Sequence, residues 1–160
     1  MKKYTDLINE VLPHISEAFP WDLQEQMSAG DDILLVDIRE PYEFQAMHIE
    51  RSINVPRGIL ESACDWGYEE TVPALAAARE REVLLICRSG NRSALAAHTL
   101  KQMGYRQAVS LKTGLKGWND YEQPLVDAQG RPVDIERADK YFEAKVRPEQ
   151  MGTTVRGSRQ

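Results

Sequence analysis

Apolar positions along the chain follow two rhythms. Uninterrupted apolar runs at Ile33-Leu34-Leu35-Val36 and Val83-Leu84-Leu85-Ile86, and a shorter one at Ala108-Val109-Ser110-Leu111, predict strands buried within a sheet. Between them apolar residues recur three and four apart, as on a helix. Tyr4, Leu7, Ile8 and Val11 predict a helix over 4–12, ended near Pro13. Asp22-Leu23-Gln24-Glu25 has capping-box spacing, with Asp in place of Ser or Thr, and predicts a helix to about Ala29, stopped at Gly30. Pro41 suits the first turn of a short helix through Glu43 and Phe44. Residues 58–81 are expected to be mainly helical, with Pro73 opening one helix. Leu95, Thr99, Leu100 and Met103 share one face of a helix over 92–103, which Gly104 stops. Gly114 to Trp118 reads as a turn into another short helix. After Pro124 the pattern weakens. Asp127 to Pro132 reads as a turn, Asp134 to Val146 as a charged helix, and the chain from Pro148 as a mobile tail.

Strands alternating with helices predict an α/β domain with a central, largely parallel sheet flanked by helices. The expected boundaries are a helical extension over 1–19, the domain over 20–125, and a charged extension over 126–160. In such sheets ligands bind beyond the C-terminal strand edges. Asp37, Arg39 and Cys87 all fall at such edges.

Cys87 stands where a buried strand ends and a helix is about to begin. The first N–H groups of a helix lack internal partners, and the helix dipole places partial positive charge there. The loop Arg88-Ser89-Gly90-Asn91-Arg92-Ser93 adds inward N–H groups, an anion nest, and two guanidinium charges. Each of these favours thiolate over thiol, which makes Cys87 the expected nucleophile. Gly90 permits a backbone angle closed to other residues. The alternative for Cys87 alone is a structural cysteine at a strand end.

Composition narrows the setting. The 160 residues suffice for one domain with extensions, and a net charge of −5 gives no general case for nucleic-acid binding. No apolar run resembles a signal peptide or reaches membrane-spanning length, so the cytoplasm is the default expectation and no membrane partner is expected. Two cysteines, Cys64 and Cys87, make neither a disulfide framework nor a metal site. No metal or organic cofactor is implied.

These residues together resemble a single-domain rhodanese, a sulfurtransferase, over about residues 20–125. Asp37-Ile38-Arg39-Glu40, Glu43-Phe44 and His48-Ile49 are similar to the family's Asp-x-Arg, Glu-Phe and Gly-His-Ile pattern. Ile53-Asn54-Val55-Pro56 is similar to the segment that follows. The Cys87–Ser93 loop is the most specific match, and Leu111, Gly114 and Trp118 resemble the Gly-Gly-x-x-x-Trp close. Three glycines usual in the family are replaced, by Met47, Arg51 and Thr113, which leaves the geometry of those turns open.

The resemblance implies a three-layer fold and a two-step reaction. Cys87 takes a sulfane sulfur from thiosulfate or a protein persulfide, then yields it to cyanide, a small thiol or a protein thiol. Arg88, Ser89, Gly90, Asn91, Arg92 and Ser93 would form the substrate-binding loop, with Asp37 and Arg39 in support. Asp37 and Arg39 read first as a structural pair. His48 reads as a hydrogen-bonded structural residue, Trp118 as core, and Cys64 as inert. One alternative is a persulfide relay between proteins, with the extensions as docking elements. A second is a cysteine-dependent phosphatase or arsenate reductase. Those enzymes use Cys-x5-Arg, whereas Cys87 and Arg92 enclose four residues, a tighter ring better fitted to one sulfur.

Overall fold

A computed structural model describes residues 1–152. In chain order the elements are α1 (Tyr4–Val11), β1 (Ser16–Ala18), α2 (Pro20–Ser28), β2 (Ile33–Asp37), α3 (Pro41–Ala46), β3 (Ile53–Asn54), α4 (Leu60–Ala63), α5 (Pro73–Ala76), β4 (Glu82–Ile86), α6 (Asn91–Gln102), β5 (Gln107–Leu111), α7 (Gly114–Asp120) and α8 (Ile135–Tyr141). The five strands form one parallel sheet in the order β1-β5-β4-β2-β3. This is the expected α/β fold, with a parallel sheet flanked by helices.

The unbroken apolar runs are explained by burial on both faces. Along β4 and just past it, Val83, Leu85 and Cys87 pack toward α4, α5 and α6, against Leu60, Leu75, Ala97 and Leu100. Leu84 and Ile86 point the other way, against Leu23, Leu115, Trp118 and Phe142. The period-two alternation of a strand thus splits one apolar run between two cores. A third, smaller cluster joins Ile8 and Val11 of α1 to Ala94 of α6.

The connections place the site. From β2 the chain moves outward to β3, and from β4 it moves the other way to β5. The crevice between β2 and β4 is therefore the topological switch point, where open α/β sheets bind ligands. Asp37 pairs in register with Ile86, and Ile38 N–H donates to the Ile86 carbonyl at 2.9 Å. Cys87 and the Asp37–Arg39 segment consequently leave the sheet side by side.

Several local expectations are corrected. Helix α2 begins at Pro20, a turn earlier than the capping-box spacing predicts; Pro20 presets the first turn, and Asp22 accepts the Phe19 N–H at 2.9 Å from the third helical position. Strand β1 escapes the pattern because Ser-Glu-Ala carries no apolar alternation, and it is held by pairing with β5. Residues 58–81 are not mainly helical. They hold two one-turn helices separated by a loop in which Thr71 accepts the Tyr68 N–H at 3.0 Å and donates to the Asp65 carbonyl at 2.6 Å. Helix α8 spans Ile135–Tyr141 rather than reaching Val146, because Phe142 turns into the core beside Trp118. Pro148–Gln150 form a 3-10 turn. The rest of the expected tail, from residue 153, lies outside the described residues.

Candidate active site

The sulfur of Cys87 is fully buried at the mouth of the switch point. It accepts the Gly90 N–H at 3.1 Å and the Ser93 N–H at 3.3 Å, and lies 3.4 Å from the Ser93 hydroxyl. That hydroxyl is held in turn by Ser110 of β5, at 2.7 Å. Gly90 is the N-cap of α6 and sits at φ 93°, in the left-handed region. An added Cβ there would come within 3.0 Å of the Thr113 nitrogen. The turn therefore needs glycine for both angle and space. It tightens the chain so that two N–H groups, three residues apart, converge on one sulfur at the positive end of a 12-residue helix.

The floor of the loop is tied to α7. Leu115 N–H donates to the Cys87 carbonyl at 2.9 Å, and Lys116 N–H to the Arg88 carbonyl at 3.0 Å. Gly114 allows this approach, since a Cβ there would lie 2.6 Å from the Cys87 oxygen and 2.5 Å from the Arg88 carbonyl carbon.

The other loop residues take distinct positions. Arg92 forms a two-pronged pair with Glu43 of α3, at 2.9 and 3.1 Å. Burial pushes the Glu43 carboxyl up, but the hydrogen bond and charge of Arg92 outweigh it, and the carboxyl lies below its ordinary range. The same hydrogen bond holds Arg92 above its ordinary value. The Arg92 charge is thus paired with Glu43, and the Gly90 and Ser93 N–H groups are the donors in direct contact with the sulfur. Arg88 swings outward; its Nη2 donates to the Phe142 carbonyl at 2.6 Å and reaches the Glu143 carbonyl at 3.4 Å. Ser89 is exposed and Asn91 half-buried on the loop rim.

Asp37 and Arg39 meet as a fully buried pair, with Nη2 to Oδ2 at 2.8 Å, and Arg39 also donates to the Met47 carbonyl at 2.7 Å. Asn54 then donates to the Asp37 and Arg39 carbonyls, each at 3.0 Å, which ties the end of β2 to β3. This frame stands beside the Cys87 loop, and its hydrogen bonds run to the backbone of β2, β3 and the turn after α3. His48 stacks on Phe44 at 3.8 Å, and its Nδ1 bonds the Phe44 carbonyl at 2.8 Å. Cys64 is fully buried in the same core cluster as Cys87, at the end of α4, and burial pushes its thiol up.

The three replaced glycines divide into two kinds. Arg51 and Thr113 keep the left-handed backbone, at φ 71° and 69°. Met47 is extended at φ −170°, a conformation open to any residue. The Thr113 side chain fills the space where a Cβ on Gly117 would lie.

Two contributors lie on elements the sequence predicts, but their placement beside the loop was not legible in it. Helix α1 runs alongside α6, with Ile8 and Val11 against Ala94, and with Lys101 donating to the His14 carbonyl at 2.9 Å. This direction brings Tyr4 to the loop end of α6. Burial raises its phenol, Cys87 adds to that, and Arg92 opposes it. At the other terminus Tyr141, Phe142 and Glu143 pack over Arg88. Helical spacing showed that α1 packs somewhere, but nothing local showed where.

Comparison with known proteins agrees with this geometry. The rhodanese-like domain model matches residues 20–121. The probable adenylyltransferase/sulfurtransferase MoeZ of Mycobacterium tuberculosis is 30% identical over 105 residues, 66% of this chain but only 25% of that protein. A sulfurtransferase of Allochromatium vinosum is 28% identical over 116 residues, covering 72% of this chain and 99% of that one. A Rhodopseudomonas palustris structure of unknown function, described as a possible tyrosine phosphatase, superposes with a TM-score of 0.71 at 27% identity, over 78% of this chain and 94% of that one. Among the described residues no helix is long and apolar enough to cross a membrane. With its family match running from α2 through α7 and enclosing the Cys87 loop, the chain belongs to the rhodanese-like domain family.

Proposed function

We propose that the protein moves a sulfane sulfur from thiosulfate or a persulfide donor to a thiophilic acceptor through a persulfide on Cys87. The observation that carries this reading is the convergence of the Gly90 and Ser93 N–H groups and the Ser93 hydroxyl on one sulfur. In the first half-reaction the Cys87 thiolate attacks the outer sulfur of thiosulfate. The S–S bond breaks, its electron pair leaves with sulfite, and Cys87 keeps the transferred sulfur as a persulfide anion. In the second, an acceptor such as cyanide, a small thiol or a protein thiol attacks that outer sulfur, and the electron pair returns to Cys87. No external oxidant or reductant is needed, and one difficult transfer becomes two easier ones. Fixed dipoles stabilise the anion in each step without reorganising.

The loop residues divide the work. Gly90 and Ser93 hold the anion, Arg92 is fixed by Glu43 and keeps the loop closed, and Arg88 draws anionic donors by charge. Asp37 and Arg39 position the neighbouring strand end. Both cysteines are free, which suits the cytoplasm we assign to the protein. A phosphatase reading is disfavoured by the pairing of Arg92 with Glu43, because a phosphate-binding arginine must be open to the ligand. A second reading, in which Cys87 relays sulfur between proteins, is favoured by likeness to a putative sulfur carrier protein of Bacillus subtilis, 28% identical over 108 residues, 67% of this chain and 51% of that one.

The test is intact-protein mass spectrometry after brief exposure to thiosulfate without reductant. Wild type is expected to gain one sulfur atom, lost on adding cyanide, and Cys87→Ser is expected to gain none. No gain on wild type with thiosulfate or with any protein persulfide would refute the proposal.

A further inference from the structure

A cavity of about 600 Å³ opens beside the active-site loop, between α3 and the chain that follows α8. Tyr42, Glu43 and Arg88 form one wall, and Tyr141, Glu143 and Lys145 form the other. Two facts about it stand out. First, the second wall lies wholly beyond the family match at 20–121. It is anchored: Phe142 is buried in the core and the Arg88 guanidinium clasps the Phe142 and Glu143 carbonyls. The buried phenyl ring holds this short segment in place.

Second, the cavity is of the size that holds organic ligands, not inorganic anions. Thiosulfate or cyanide would occupy only a corner of it. Its charges are also mixed. Glu43 is balanced by Arg92, which leaves Arg88 and Lys145 against Glu143. Lys145 Nζ stands 5.7 Å over the Tyr141 ring and makes no ion pair among the described residues. Tyr141 lines the same space, and its phenol is raised by burial, with Arg39 opposing.

We propose that this cavity is the acceptor site and that it selects thiols carrying a carboxylate, of the amino-acid or peptide kind, through Lys145 and Arg88. The assignment rests on the persulfide reading of Cys87. The carboxylate would lie against the two cations while the thiolate sulfur attacks the outer sulfur of the Cys87 persulfide. The S–S bond breaks, the pair returns to Cys87, and the acceptor leaves as its own persulfide. Lys145 is here a specificity residue and takes no part in bond making.

The test uses the full-length protein with thiosulfate as donor and two thiols of similar size, 3-mercaptopropionate and 2-mercaptoethanol. The readout is the ratio of their kcat/KM values, compared between wild type and variants, so that intrinsic differences between the thiols cancel. Lys145→Glu is expected to lower the ratio about fivefold, the scale of reversing one partly exposed charge contact. Lys145→Arg is expected to restore it. Lys145 is exposed, so the substitution does not threaten the fold. An unchanged ratio in Lys145→Glu, with Cys87 loaded with sulfur by mass, overturns the acceptor site alone. Absence of loading in wild type from thiosulfate and from protein persulfides overturns the persulfide reading, and the acceptor site with it.

Discussion

Replacing Gly114 by alanine tests whether α7 sets the position of Cys87, the proposed nucleophile. The new Cβ would meet three backbone atoms, the Cys87 oxygen and the Arg88 carbonyl carbon and oxygen, at 2.5 to 2.6 Å. Ordinary contact begins near 3.4 Å, so the two chains must part by almost 1 Å. None of these atoms can rotate away. The two carbonyls are also the acceptors for Leu115 and Lys116, at 2.9 and 3.0 Å, and a shift of that size strains both bonds. A left-handed alanine costs about 1–2 kcal/mol, and overpacking against rigid backbone about 1–3 kcal/mol more. The expected loss is therefore about 2–5 kcal/mol, read by urea unfolding. In a protein of this size it corresponds to roughly 5–15 °C in Tm. Because the atoms displaced belong to Cys87 and Arg88, sulfur loading should also slow at least about tenfold. A stability loss below about 1 kcal/mol with normal loading would refute the argument that α7 braces the loop.

Ser93→Ala removes the hydroxyl that lies 3.4 Å from the Cys87 sulfur and strands the buried Ser110 hydroxyl. It should cost about 1–2 kcal/mol in denaturant unfolding and slow persulfide formation about tenfold in stopped mass sampling; an unchanged rate would mean that the two N–H groups suffice. Glu43→Gln tests the Arg92 pair through pH. The folded Glu43 carboxyl lies below its unfolded value of about 4.3, so its contribution is complete above that value and disappears as pH falls through the folded one. Wild type should therefore lose more stability than Glu43→Gln between neutral pH and about pH 3, and parallel curves would count against the pairing.

Much of the fold was legible because its signals are local. The apolar runs of β2 and β4, the helix after Gly90 and the strand-helix alternation each follow from nearby residues, and the sheet edges they imply bring Cys87 beside Asp37. The loop chemistry was legible for the same reason, since Cys87, Gly90 and Ser93 lie within seven consecutive residues. What could not be read depends on distant pairing. Ser16–Ala18 is a strand only because β5 offers an edge. Glu43 meets Arg92, and Phe142 meets Arg88, across separations that no periodicity encodes. The span 58–81 misled because alanine-rich stretches favour helix locally, while its polar loop bonds to itself instead.

Thr113 and Gly117 restrict the order in which this turn can change. The Thr113 side chain occupies the volume that any side chain at 117 would need. With threonine at 113, position 117 accepts only glycine; with glycine at 113, position 117 is free to take alanine, a better helix former. Neither substitution has a fixed cost, because each is judged against the residue four positions away. A path from one pairing to the other must pass through glycine at both positions, and the reverse order meets a clash at the turn that leads into α7. The turn that leads into α7 thus tolerates change at 113 and 117 only as a pair, with glycine kept at one of the two.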